Sequence, residues 1–134
     1  HMTIADITGF AQRYAEAWCS QKPANVAAFF SERGLLRVND GPPAVGRKAI
    51  SEVARGFMIR LPDMRVLLDK VTAEDGRTMF HWTLTGTNAG PGGNGKAVRI
   101  SGHEDWRFGE DGLIVESLGR FDSAEYERQL AHGV

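Results

Sequence analysis

Val98–Phe108 reads VRISGHEDWRF. Its even positions are Val98, Ile100, Gly102, Glu104, Trp106 and Phe108; its odd positions are Arg99, Ser101, His103, Asp105 and Arg107. A period of two kept this strictly marks a β-strand with one face in a core and the other toward water. The core face is apolar or small except for Glu104. A carboxylate at such a position must be paired, protonated or set in a cavity that the fold keeps polar. Glu104 is therefore the residue around which a functional reading is built.

The strands on either side repeat the pattern. Thr78–Asn88 places Phe80, Trp82, Leu84 and Gly86 on one face and Met79, His81, Thr83, Thr85 and Thr87 on the other. Leu113–Asp122 follows the Gly109-Glu110-Asp111-Gly112 turn, with Val115, Ser117, Gly119 and Phe121 sharing a face. Met64–Thr72 reads as a further strand, joined to the next through Glu74-Asp75-Gly76. Ala89–Gly95 (AGPGGNG) is a loop without the preceding strand and following helix that a phosphate-binding loop requires.

Toward the N-terminus the period changes to that of helices. Thr3–Ser20 carries Ile7, Phe10, Ala11, Tyr14 and Trp18 on one stripe, and Thr3 with Asp6 forms a start signal. Tyr14 thus faces inward, either as a satisfied core residue or as a hydrogen-bond donor in a pocket. Ala24–Phe30 reads as a short second helix with Val26, Phe29 and Phe30 apolar, ended near Gly34. Leu35–Asn39 reads as a strand whose inner face, Leu36 and Val38, Asp40 would continue. Asp40-Gly41-Pro42-Pro43 is also turn chemistry, so Asp40 fits a turn role as well as a site role. A third helix opens at Gly46-Arg47, with Ile50, Val53, Ala54, Phe57 and Met58 apolar, and closes at Leu61-Pro62-Asp63. A last helix, capped by Ser123, has Glu125 in its first turn and Leu130 as its apolar anchor. Clustered helices followed by an antiparallel meander define an α+β fold with helices over one sheet face.

The chain of 134 residues, 42% hydrophobic, fits one domain spanning 2–134, with His1-Met2 read as a tag remnant. A net charge of -1 gives no electrostatic footprint for nucleic acid or anionic membrane. No apolar run approaches the roughly 18–20 residues that cross a bilayer, and no signal-peptide pattern is present. With the lone Cys19 excluding an intrachain disulfide framework, the expected location is the cytoplasm.

Several short stretches resemble the nuclear transport factor 2-like superfamily, and within it the SnoaL-like polyketide cyclases and ketosteroid isomerases. They are QRY at 12–14, GRKAI at 46–50, WTLTGT at 82–87, G-x-E at 102–104, WRF at 106–108, DGLI at 111–114 and QL at 129–130. The resemblance covers nearly the whole chain. It implies a cone-shaped fold in which a curved, mostly antiparallel sheet wraps around N-terminal helices. In the isomerases it implies a tyrosine donor on the first helix, a carboxylic-acid donor on a central strand and a carboxylate base after the first strand. Tyr14 matches the tyrosine, and Glu104 matches the acid with one extra methylene. The base position falls on Val38, and the nearest carboxylate is Asp40.

Enolisation, aldol closure or double-bond migration needs a base for the proton next to a carbonyl and a donor for the developing oxyanion. The expected catalytic set is Tyr14, Asp40 and Glu104, acting without cofactor or metal on a hydrophobic carbonyl compound. Trp18, Phe30, Phe57, Trp82, Trp106 and Phe121 are the expected apolar lining, although each alone also fits plain core packing. The alternative is a ligand-binding or dimeric accessory protein using the same pocket. His81, Thr83, Thr85, His103, Asp105 and Arg107 point outward and read as a polar homodimer face rather than a metal site. Arg120 and Asp122 resemble part of a water-activating network of related epoxide hydrolases, but their positions put them on the outside.

Overall fold

In the computed structural model, which describes residues 2–134, the chain alternates between helices packed on one sheet face and strands that build the sheet. Helices α1 (Ile4–Cys19) and α2 (Pro23–Ala27) precede strands β1 (Phe30–Val38) and β2 (Ala44–Val45). Helix α3 (Arg47–Arg60) leads into β3 (Arg65–Glu74), β4 (Arg77–Thr87), β5 (Ala97–Phe108) and β6 (Ile114–Phe121). Helix α4 (Ser123–His132) follows. The strand order is β2-β1-β6-β5-β4-β3, antiparallel at every pairing except β1 with β6, which is parallel. No helix among the described residues is long and apolar enough to cross a membrane.

The opening of α1 is as expected. Thr3 Oγ1 accepts from the Asp6 amide at 3.1 Å, and Asp6 Oδ2 accepts from the Thr3 amide at 3.0 Å, a reciprocal capping box. The stripe of Ile7, Phe10, Ala11, Tyr14 and Trp18 is buried along its whole length.

Four local readings are corrected. Phe30 belongs to β1 rather than to the second helix, and it is fully buried at the strand's start. The register jumps between Phe30 and Leu35, where Gly34 lies so close to Ile114 that a Cβ would stand 2.8 Å from the Ile114 carbonyl oxygen. A glycine placed there for close strand approach resembles a helix stop in the sequence. Val115 falls in the irregular pairing between β5 and β6, so Ile114, not Val115, is the fully buried residue. The cap of α4 is Asp122, whose side chain accepts from the Glu125 amide at 3.0 Å, one residue before the expected Ser123. Finally, α4 buries Tyr126 and Gln129, whereas Leu130 is half-buried. Gln129 Oε1 accepts from the Arg99 amide at 2.6 Å and fastens α4 to β5.

Candidate active site

Strand register sets the site before any side chain is considered. Val38 on β1 pairs with Gly119 on β6, Gly119 with Glu104 on β5, and Glu104 with Phe80 on β4. On one side the neighbouring rung runs Leu36, Ser117, Trp106, Thr78; on the other, Phe121, Gly102, Trp82. All three rungs present these side chains to the face covered by α1. Gly119 supplies no side chain between Val38 and Glu104, and a Cβ there would lie 3.7 Å from Glu104 Cγ. The gap opens a cavity of about 50 Å³. Its walls are apolar or aromatic, drawn from β1, β3, β4, β5, β6, α1, α3 and α4. Glu104 is the only carboxylate among them. Val38, Phe57 and Phe121 are half-buried and form the rim.

Glu104 is 7% exposed and is held from three sides. Its Oε1 accepts from Tyr14 Oη at 2.8 Å, from Trp106 Nε1 at 3.0 Å and from Ser117 Oγ at 2.6 Å. All three bonds end on Oε1, leaving Oε2 without a protein partner on a side chain that lines the cavity. Two effects compete for its proton. Burial penalises the carboxylate, at a cost of several kcal/mol for an unpaired ion. The three donors favour it, each hydrogen bond to a charged group being worth about 1.5–3 kcal/mol. Burial wins: the Glu104 pKa rises above the ordinary 4.5, with the bonds from Ser117, Trp106 and Tyr14 restraining the rise. The Tyr14 phenol is pushed up as well, first by burial and then by the neighbouring Glu104 charge, so it remains a donor.

The expected residues separate into three groups. Trp18, Phe57, Trp82, Phe121 and Glu104 line the cavity together. Tyr14 and Trp106 stand behind Glu104 and donate to it, and neither lines the cavity. Phe30 is packed in the core against Tyr14 (ring centroids 6.1 Å apart) and does not reach the cavity. Asp40 lies outside: its side chain is 84% exposed and takes Arg120 Nη1 at 2.9 Å. The turn after β1 carries it past the rim, whereas Val38, at the position the resemblance gives to the base, lines the cavity as an apolar residue. Asp122 is spent on the α4 cap.

Two contributors were not foreseen in these roles. Ser117 shared the correct face in the sequence, but its bond to Glu104 depends on the β5–β6 register. Tyr126 lines the cavity from α4 and stands one helical turn before Leu130, a spacing that could have found it. Tyr126 packs on Phe57 and Phe121 with ring centroids 6.0 and 5.8 Å away, closing an aromatic collar at the rim. Burial raises its phenol pKa to about 12.

The helix-backed mixed sheet thus encloses one buried carboxyl in an apolar cavity. Residues 11–117 match the model of the SnoaL-like domain, and the chain belongs to that family. No curated protein matches the sequence. Among solved structures, AclR, a proposed hydroxylase from Streptomyces galilaeus, is similar with a TM-score of 0.80 at 20% identity. The alignment covers 96% of this chain and 98% of that one. A protein with a ketosteroid isomerase-like fold from Catenulispora acidiphila, solved in complex with trimethylamine, is similar with a TM-score of 0.79 at 15% identity. That alignment covers 91% of this chain and 92% of the other. These likenesses show the fold, including the cone-shaped α+β arrangement expected from the sequence.

Proposed function

We propose that this protein is a cofactor-independent acid/base enzyme that moves a proton on a small hydrophobic carbonyl compound, in an isomerisation or an aldol-type ring closure. One observation carries this reading: Glu104 holds Oε1 in three hydrogen bonds and leaves Oε2 free in a cavity with no other carboxylate. Fixing one oxygen orients the other, and a raised pKa brings the group closer to neutral operation as both acid and base. In its ionised form Oε2 takes the proton from the carbon next to the carbonyl. The C–H electron pair becomes the C=C bond of an enolate while the carbonyl π pair moves onto its oxygen; as that pair returns, the same carboxyl gives the proton back at another carbon of the conjugated system. Tyr14, Ser117 and Trp106 are positioning residues.

The cavity limits the substrate. About 50 Å³ is far below the roughly 300–1,000 Å³ of pockets for drug-sized ligands. A compound of several rings enters only if Phe57 and Phe121 move outward, whereas a single small ring asks for much less.

A binding protein without turnover is the second reading, favoured by the apolar Val38 where the resemblance places a base. Deuterium uptake from D2O into a panel of small cyclic ketones and enones, whose uncatalysed exchange at neutral pH is slow, separates the two. The expected result is accelerated exchange next to the carbonyl, reduced about 100-fold or more in Glu104→Gln and retained in Asp40→Asn. Ligands recovered without deuterium from a protein that binds them would establish the binding reading instead.

A further inference from the structure

Phe57 on α3 and Tyr126 on α4 line the cavity side by side, with ring centroids 6.0 Å apart. The backbone behind Phe121, the third ring of the collar, is fixed by pairing with Gly102 and by its amide donating to Asn39 Oδ1 at 2.9 Å. On the opposite side, the width of the mouth is the spacing of two helices. Both helices end on one loop, the glycine-rich Ala89–Gly95, which has no part in the proton transfer. One turn past Phe57, the Arg60 carbonyl accepts from the Gly90 amide at 3.2 Å, and Arg60 Nη1 donates to the Pro91 carbonyl at 3.0 Å. One turn past Tyr126, the Leu130 carbonyl accepts from Asn88 Nδ2 and Asn94 Nδ2, each at 2.9 Å. Asn94 Nδ2 also reaches the Ala131 carbonyl at 3.2 Å.

Carbonyls in the last turn of a helix have no partner inside it. The loop supplies those partners, to α3 from its backbone and to α4 from two side-chain amides. Gly90 permits the approach to α3, because a Cβ there would collide with the Ile59 carbonyl oxygen. The buried Asn88 joins the two ends, since its Oδ1 takes Arg60 Nη1 at 3.4 Å while its Nδ2 holds Leu130. We infer that this loop, with Asn88, is a clasp that sets the distance between Phe57 and Tyr126, and so the largest ring system that the cavity admits. Asn88, Gly90 and Asn94 are positioning residues that act through the two rim side chains. A single ring passes the closed clasp, and a fused pair requires α3 and α4 to part.

Toluene and naphthalene test this in the intact protein, and neither carries a carbonyl, so the outcome is independent of the proton transfer proposed above. Titrations followed by NMR at the cavity-lining Trp18 and Trp82 should show wild type binding toluene and taking naphthalene much more weakly. Asn94→Ala removes the amide from the Leu130 and Ala131 carbonyls at an exposed position, and Gly90→Ala lifts the loop from α3. Each should raise naphthalene affinity roughly three- to tenfold, as loss of a hydrogen bond allows, and change toluene affinity less than about twofold. A merely structural role would weaken both probes or neither. Equal changes for the two probes, unchanged naphthalene affinity in Asn94→Ala, wild type binding both equally well, or no toluene in the cavity would each overturn the assignment. The Asn94→Ala result stands even if Gly90→Ala fails to fold.

Discussion

The Tyr14 hydroxyl donates to Glu104 Oε1 across 2.8 Å, joining the middle of α1 to the middle of β5 inside the core. This bond fixes which carboxyl oxygen faces the cavity. Tyr14→Phe removes it and keeps the ring. With one of its three restraints gone, the Glu104 pKa should climb further, and stability should fall by about 1 kcal/mol. Carboxyl-carbon NMR titration and urea unfolding read the two effects. A Glu104 titration identical in both proteins would show that the bond does not govern the carboxyl.

Glu104 also gives the fold a pH dependence of definite sign. Folded, it keeps its proton to a higher pH than the ordinary 4.5. Unfolding therefore releases a proton between that value and the raised one, and stability falls as pH rises through this window. Below 4.5 both states are protonated and the contribution is complete. Glu125 has the opposite sign: Arg128 and Gln129 pull its carboxyl from 4.5 down to about 2, so its contribution is full above that interval and is lost as pH falls through it. The difference in urea midpoint between wild type and Glu104→Gln across pH 4–8 isolates the Glu104 component. A difference that stays flat with pH would contradict the raised value.

Two glycines on the inner sheet face should respond differently to the same added methyl. At Gly102 a Cβ would lie 2.6 Å from Trp82 Cζ2 and collide with the Arg120 carbonyl oxygen. Gly102→Ala should cost about 1–3 kcal/mol in thermal or chemical unfolding, as overpacking does. At Gly119 the nearest atoms are 3.4 and 3.7 Å away, the second being Glu104 Cγ. Gly119→Ala should fold nearly as well as wild type and weaken ligand binding by narrowing the gap beside Glu104.

The outward face of β4 and β5 carries His81 and His103 as a cross-strand pair, ring centroids 5.9 Å apart. Burial, Lys70 and His103 together lower the His81 pKa, so its ring charges only in acid. Nearby, Arg77 joins Asp105 at 2.9 Å and Glu116 at 3.1 Å, and Thr83 is buried between Asp69 and Ser101 at 2.6 and 2.7 Å. We propose that this face pairs with a second copy of the chain. His103→Glu would then shift sedimentation toward the monomer; an unchanged distribution would remove the proposal.

Strict alternation made the inner faces of β4 and β5 legible, and with them the burial of Glu104. The helical stripe likewise placed Tyr14 inward, though not its partner, because α1 and β5 meet only in the folded chain. What stayed hidden was non-local or too short to have a period. Two-residue β2 shows no alternation, and the parallel pairing of β1 with β6 leaves no mark like a hairpin turn. The role of Ser117 depends on a register disturbed near Phe108. Asp40 illustrates the reverse difficulty: continuing a strand's face by two residues is sound only if the strand continues, and β1 ends at Val38.

The parallel seam between β1 and β6 joins segments made early and late in synthesis. Until Ile114–Phe121 has left the ribosome, β1 can pair only with the two residues of β2, and Ser117 cannot reach Glu104. Pairing of such distant segments carries a loop-closure penalty and slows folding. The nascent protein therefore passes through an interval in which its acid-bearing strand exists with an unsealed flank. A chain truncated before Ile114 should be readily proteolysed, whereas the chain that includes β6 and α4 should be resistant.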